Sequence, residues 1–141
     1  MADPERVGRA SYLLVFDGGS RGGRQLGFGS YLLETPEGRI GPIRRRYGPG
    51  VTNNQAEYLA LLDGLRQLLV LLEESGRRKE EIDLEVRGDS RLVINQLAGR
   101  WRVRHPALRP LFDEARQMLA GFRQARLRWT PRAASVDILG H

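Results

Sequence analysis

The chain has 141 residues, enough for one domain with a real core but too few for two. It is 40% hydrophobic and 28% charged with no cysteine, which excludes a disulfide scaffold and a thiolate metal site, and no stretch approaches the ~18 apolar residues of a membrane span. The formal charge is +6 and the pI about 10.6, nearly all of the positive charge being arginine with Lys79 the one lysine. This balance favours a polyanionic partner, nucleic acid first, although arginine richness alone also fits a hot habitat. The opening "MADPERVGRA" is polar and lacks the apolar core of a signal peptide. The expectation is a flexible segment over 1–10, one domain over 11–141, a cytoplasmic location and a monomer.

In chain order, "SYLLVF" (11–16) reads as a strand buried on both faces, ended by the glycines of "DGGSRGG". "GFGSYLLETPEGRIGPIRRRYG" (27–48) reads as a hairpin turning at Thr35-Pro36-Glu37-Gly38. Thr52, followed three residues later by Gln55, has the form of a capping box, and an apolar helix from Asn53 to Glu74 comes next. "EIDLEVRG" (81–88) alternates as a half-buried strand and runs into a short helix in "DSRLVINQLAG", closed by Gly99. A further helix is expected over 105–122, with Pro106 at its start, and a last strand over 125–131. The order β-β-β-α-β-α-α-β implies an α/β domain, a mixed sheet with helices packed on it.

Four acids stand out against this frame. Asp17 and Asp89 follow the first and fourth strands, Asp137 follows the fifth by a loop, and Glu57 interrupts an apolar helix after the third. Each has a plain alternative: a turn former at Asp17, a helix N-cap at Asp89, a solvated acid at Asp137, a helix-dipole acid at Glu57. Together they read differently. In an open α/β sheet, sites gather at the carboxyl ends of strands. If the first and fourth strands are neighbours, Asp17 and Asp89 converge, and clustered carboxylates repel one another unless a cation lies between them. Oxygen-only donors suit Mg²⁺ or Mn²⁺ rather than zinc. Two such ions ~4 Å apart clamp a phosphodiester, activate water and stabilise the departing oxygen.

"FDGGSRGG…GFGSYLL", "TNNQAEYLALLDGL" and "GDSRLVINQL" resemble three successive motifs of the type 1 ribonuclease H family. The resemblance runs from about Tyr12 to the last residue. It implies a ribonuclease H-like fold with a five-stranded mixed sheet and a short C-terminal end. It also implies metal-dependent hydrolysis of the RNA strand of RNA–DNA hybrids by two Mg²⁺ or Mn²⁺ ions, giving 5′-phosphate and 3′-hydroxyl ends. Residue by residue, Asp17, Glu57 and Asp89 match the first three catalytic, metal-binding carboxylates, and Asp137 is the acid available for the fourth. Gly18 falls in the glycine turn where the backbone passes close to metals and scissile phosphate. Thr52, Asn53 and Asn54 match positions that contact the DNA-strand phosphate and the minor groove, and Arg91 stands where many relatives carry a Gln.

The chain departs from the family pattern at three places. Gly23 replaces an Asn that contacts substrate in many relatives. "GRWRVRH" (99–105) is short where many relatives insert a basic protrusion, though Arg100, Arg102 and Arg104 alternate there around Trp101 and Val103. The loop before Asp137 lacks the histidine that relatives often carry there, and His141, four residues after Asp137, is a possible auxiliary on the same helical face. Alternative readings are a hybrid-binding module without turnover, or another nuclease of the ribonuclease H-like superfamily.

Overall fold

The apolar run after Ser11 forms the central strand of the molecule. The computed structural model describes residues 10–132 and residue 139, so most of the N-terminal segment expected to be flexible lies outside the described residues. In chain order the elements are β1 (Ala10–Arg21), β2 (Leu26–Thr35), β3 (Gly38–Gly48), α1 (Asn53–Glu74), β4 (Ile82–Gly88), α2 (Arg91–Leu97), α3 (Arg109–Leu119) and β5 (Gln124–Trp129). They follow the order expected from sequence. The sheet runs β3-β2-β1-β4-β5, with β1 antiparallel to β2, β2 antiparallel to β3, and β1, β4 and β5 mutually parallel.

Alternation along the strands divides the sheet into two faces. Tyr12, Leu14 and Phe16 of β1, Tyr31 and Leu33 of β2, and Ile82, Leu84 and Val86 of β4 are buried in one cluster with Leu61, Leu65, Leu68 and Leu72 of α1. Each such fully buried side chain contributes roughly 1.5–3 kcal/mol, which is why α1 stays on the sheet. On the other face Val15 and Leu32 are buried with Leu139. The capping box at Thr52 is complete: its hydroxyl accepts from the Gln55 N–H at 3.2 Å, and its own N–H donates to the Gln55 side chain at 2.9 Å.

Two elements differ from expectation. The first strand does not end at Phe16, because residues 17 to 21 stay extended by pairing with residues 30 to 26 of β2. Asp17 therefore lies within β1, and the turn comes at residues 22–25, where Gly22 has φ +73°. The third helix starts at Arg109 rather than 105, and Pro110, not Pro106, occupies its first turn.

Candidate metal centre and nucleic-acid surface

The site is assembled where β1, β4 and α1 meet. The parallel pairing that sets Phe16 beside Gly88 places Asp17 and Asp89 next to each other at the ends of that pair. Glu57 arrives from α1 because Gly18 has no side chain. A Cβ there would sit 2.4 Å from the Ala56 carbonyl carbon and 2.6 Å from the Glu57 nitrogen. Gly18 thus serves helix approach, a physical reason for glycine that the sequence did not show.

Asp17, Glu57 and Asp89 each present a carboxylate oxygen, and these oxygens lie within 4.8 Å of one another. Asp17 is 2% and Glu57 8% exposed, while Asp89 is half-buried. The plain alternatives for the three acids do not match this geometry. Asp17 is interior to a strand, Ser90 rather than Asp89 caps α2 through its hydroxyl, and the first turn of α1 contains no acid. Burial, then the charges of Asp17 and Asp89, push the Glu57 carboxyl up to about 10. Burial and Asp17 also raise Asp89, opposed by the Arg132 guanidinium at 3.6 Å. Among the described residues three side-chain oxygens are buried without a hydrogen-bond partner, and two of them, Glu57 Oε2 and Asp89 Oδ1, belong to this cluster; the third is Asp83 Oδ1. Buried polar atoms are rarely left so. Three carboxylates with two orphaned oxygens and no nitrogen or sulfur donor fit a hard divalent cation such as Mg²⁺ or Mn²⁺. Asp137 and His141 lie outside the described residues.

The expected substrate residues fall into three places. Thr52 and Asn54 share a cleft of about 290 Å³ with Arg102, Arg104 and His105, so the start of α1 and the arginine loop line one surface. Asn53 points to β1, its side-chain oxygen accepting from the Ser20 N–H at 2.7 Å. Arg91 stacks its guanidinium 4.3 Å from the centre of the Trp129 ring.

A profile of the family described as reverse transcriptase-like matches residues 15–136. Ribonuclease HI of Halobacterium salinarum is 35% identical over 135 residues, 96% of this chain and 63% of that protein. The crystal structure of ribonuclease H1 from the same organism superposes with a TM-score of 0.74 at 34% identity, covering 92% of this chain and 93% of that one. The chain belongs to the type 1 ribonuclease H family.

The N-terminal ribonuclease H domain of a bifunctional protein of Mycobacterium tuberculosis gives a TM-score of 0.78 at 30% identity, covering 92% of this chain and 90% of that one. This chain spans 31% of that mycobacterial protein's full length. LC11 ribonuclease H1, solved with an RNA/DNA hybrid, is 23% identical with a TM-score of 0.77 over 91% of this chain and 92% of that one, which shows the fold alone.

Three residues that the sequence did not single out bear on the site. Trp129 donates its indole N–H to the Asp89 carbonyl at 3.0 Å while carrying Arg91 on its ring. Arg132 stands beside the Asp89 carboxylate. Gln96, 2% exposed, accepts from the Tyr58 hydroxyl at 2.5 Å and donates to the Arg102 carbonyl at 3.3 Å, tethering the arginine loop to the core. In sequence Trp129 signals only a strand, and Gln96 only a polar helix position. Trp101, between the loop arginines, is 48% exposed.

Proposed function

We propose that this chain is an endonuclease hydrolysing the RNA strand of RNA–DNA hybrids. The carrying observation is the buried Asp17–Glu57–Asp89 cluster with two carboxylate oxygens left unpartnered. Asp17, Glu57 and Asp89 would hold two Mg²⁺ or Mn²⁺ ions, with Asp137 proposed as the fourth ligand. Such ions supply Lewis acidity toward the scissile phosphate and acidify a bound water. The chain's own groups do the rest. The Gly18 N–H, donating to Asp17 Oδ1 at 3.0 Å, fixes that carboxylate's orientation. Trp129 holds the Asp89 backbone, and Arg132 offsets part of the carboxylate charge. Thr52, Asn54, Arg102 and Arg104 take the DNA-strand phosphates, while Asn53 and Arg91 lie toward the RNA strand, where amides read 2′-hydroxyls. A water oxygen bonds to phosphorus as the bond to the 3′ oxygen breaks, leaving a 5′-phosphate and a 3′-hydroxyl.

Support comes from the family membership and from a relative of the same fold solved with an RNA/DNA hybrid. No helix among the described residues is long and apolar enough to cross a membrane; a monomer in the cytoplasm is part of this proposal. The test is cleavage of a labelled hybrid beside DNA duplex, RNA duplex and single strands, with Mg²⁺, Mn²⁺ or EDTA. Metal-dependent cutting of the hybrid's RNA strand is the expected result. Hybrid binding without turnover in either metal would refute it and leave a binding module.

A further inference from the structure

A second surface starts from the same Asp17 and leads away from the arginine loop. Strand register places Asp17 opposite Ser30, and Ser30 opposite Arg44. Two residues along, Gly19 lies opposite Phe28, and Phe28 opposite Arg46; after that Arg21 lies opposite Leu26. Because alternate residues share a face, these rows lie side by side on the sheet face away from α1. They line a cleft of about 830 Å³ with Asp17 and Arg132 toward one end and Arg44 and Arg46 on the β3 edge.

The floor of this cleft is built from a close approach. A Cβ on Gly19 would lie 2.7 Å from the tip of the Phe28 ring, so glycine is what lets that ring lie across β1. The Arg21 guanidinium sits 4.6 Å from the ring centre, and Leu26 beside it is 45% exposed. Among the described residues lining the cleft, Asp17 is the one acid. Charged residues on an edge strand also discourage sheet-to-sheet pairing. That purpose accounts for charge on β3 at Arg44 and Arg46, but not for an aromatic platform or for an arginine stacked on it from β1.

We propose that this cleft is a track for single-stranded RNA, the unpaired continuation of the strand whose hybrid portion lies at the carboxylates. The proposal rests on the hybrid-nuclease reading and extends it to substrates with a junction between hybrid and single strand. Single strands are held by arginines on phosphates together with planar groups on which bases stack. A duplex turns its base faces inward and offers nothing to the Phe28–Arg21 stack. An unpaired strand offers both phosphates and base faces. The track begins at Asp17, where the RNA strand is cut, so RNA rather than DNA is the strand that enters it.

The experiment measures affinity in EDTA, by fluorescence anisotropy, for blunt hybrid and for hybrids carrying an RNA or a DNA overhang at either end. Cleavage of the blunt hybrid with metal is followed in parallel. The wild-type protein should bind one RNA-overhang hybrid about 5–10-fold more tightly than the blunt one, the low end of the scale for one stacked base. Arg44→Ala/Arg46→Ala should abolish that gain and lower the salt slope of overhang binding by about 1.4, at ~0.7 per single-strand phosphate contact. Blunt-hybrid binding and cleavage should not change. Phe28→Leu keeps bulk over Gly19 and should cut the gain about threefold, with circular dichroism verifying the fold. Equal wild-type affinity for blunt and overhang hybrids, or a gain that survives in the double variant, would overturn the track. An equal gain from DNA overhangs would overturn its assignment to RNA. Blunt hybrid left uncut in either metal would instead sink the nuclease reading on which the track rests.

Discussion

Asp17, Glu57 and Asp89 project from three elements packed against one another, whereas Arg100, Arg102 and Arg104 ride on an exposed loop with one buried side-chain tether through Gln96. The carboxylates are placed by hard contact, Gly18 against the main chain of α1 and β1 against β4. The arginines are placed by the Arg102 carbonyl, while their charged ends remain in water. Charge held by packing suits ions whose ligand distances vary by tenths of an ångström. Charge on a solvated loop suits phosphates, which are attracted over a Debye length and tolerate adjustment. The two regions should therefore fail differently when altered.

The largest effect is expected at the packed end. Asp17→Asn or Asp89→Asn should reduce hybrid cleavage on the order of 10³-fold, the scale of losing one preorganised electrostatic group. The fold should survive, as judged by thermal melts. Wild-type turnover in either variant would remove the cluster from the chemistry. Next comes Gly18→Ala, which drives a methyl into the α1 backbone. Overpacking against rigid main chain should cost about 3 kcal/mol in denaturant unfolding and displace Glu57, lowering cleavage as well. A Gly18→Ala protein of unchanged stability and rate would mean that this contact does not set the site.

A subtler change tests the charge within the packed region. The Glu57 carboxyl is raised in the folded protein from about 4.5 to about 10. Between those values the unfolded chain releases a proton that the folded chain retains, so stability falls as pH rises. Below about 4.5 both states are protonated, and this contribution to stability is fully present. In EDTA, Glu57→Gln should therefore match wild type near pH 4 and exceed it by about 1–3 kcal/mol at pH 8. Chemical denaturation across that range gives the answer, and Mg²⁺ should narrow the gap by stabilising only the wild-type site. A gap independent of pH would show that Glu57 ionises freely. The smallest effect is expected on the loop. Arg102→Ala/Arg104→Ala should weaken hybrid binding less than tenfold and flatten its salt slope by about one to two, with saturated turnover nearly intact. An unchanged slope would turn these arginines away from the hybrid.

The same contrast governs what could be read from sequence. The bounds of α1 were legible because a capping box is a local device, complete within Thr52 to Gln55. The full length of β1 was not. Locally "DGGSR" carries every mark of a turn, and only pairing with residues 26–30 keeps it extended. The start of α3 was misplaced because two prolines four residues apart both suit a first turn, and local signals do not choose between them. The convergence of Asp17 and Asp89 was legible once the two strands were taken as neighbours. The indole of Trp129 on the Asp89 carbonyl was not, since it joins residues 40 apart through tertiary packing alone.

The contact at Gly18 has one further consequence. The spacing between the β1 and α1 carboxylates is set by main chain against main chain, which is among the stiffest contacts in a protein interior. The backbones that carry Asp17 and Glu57 are therefore held at a fixed separation. Under the proposed function, ion-size preference then belongs to the scaffold rather than to its decoration: resurfacing the arginines would alter how nucleic acid is held, while leaving the backbone separation that an ion must fit unaltered.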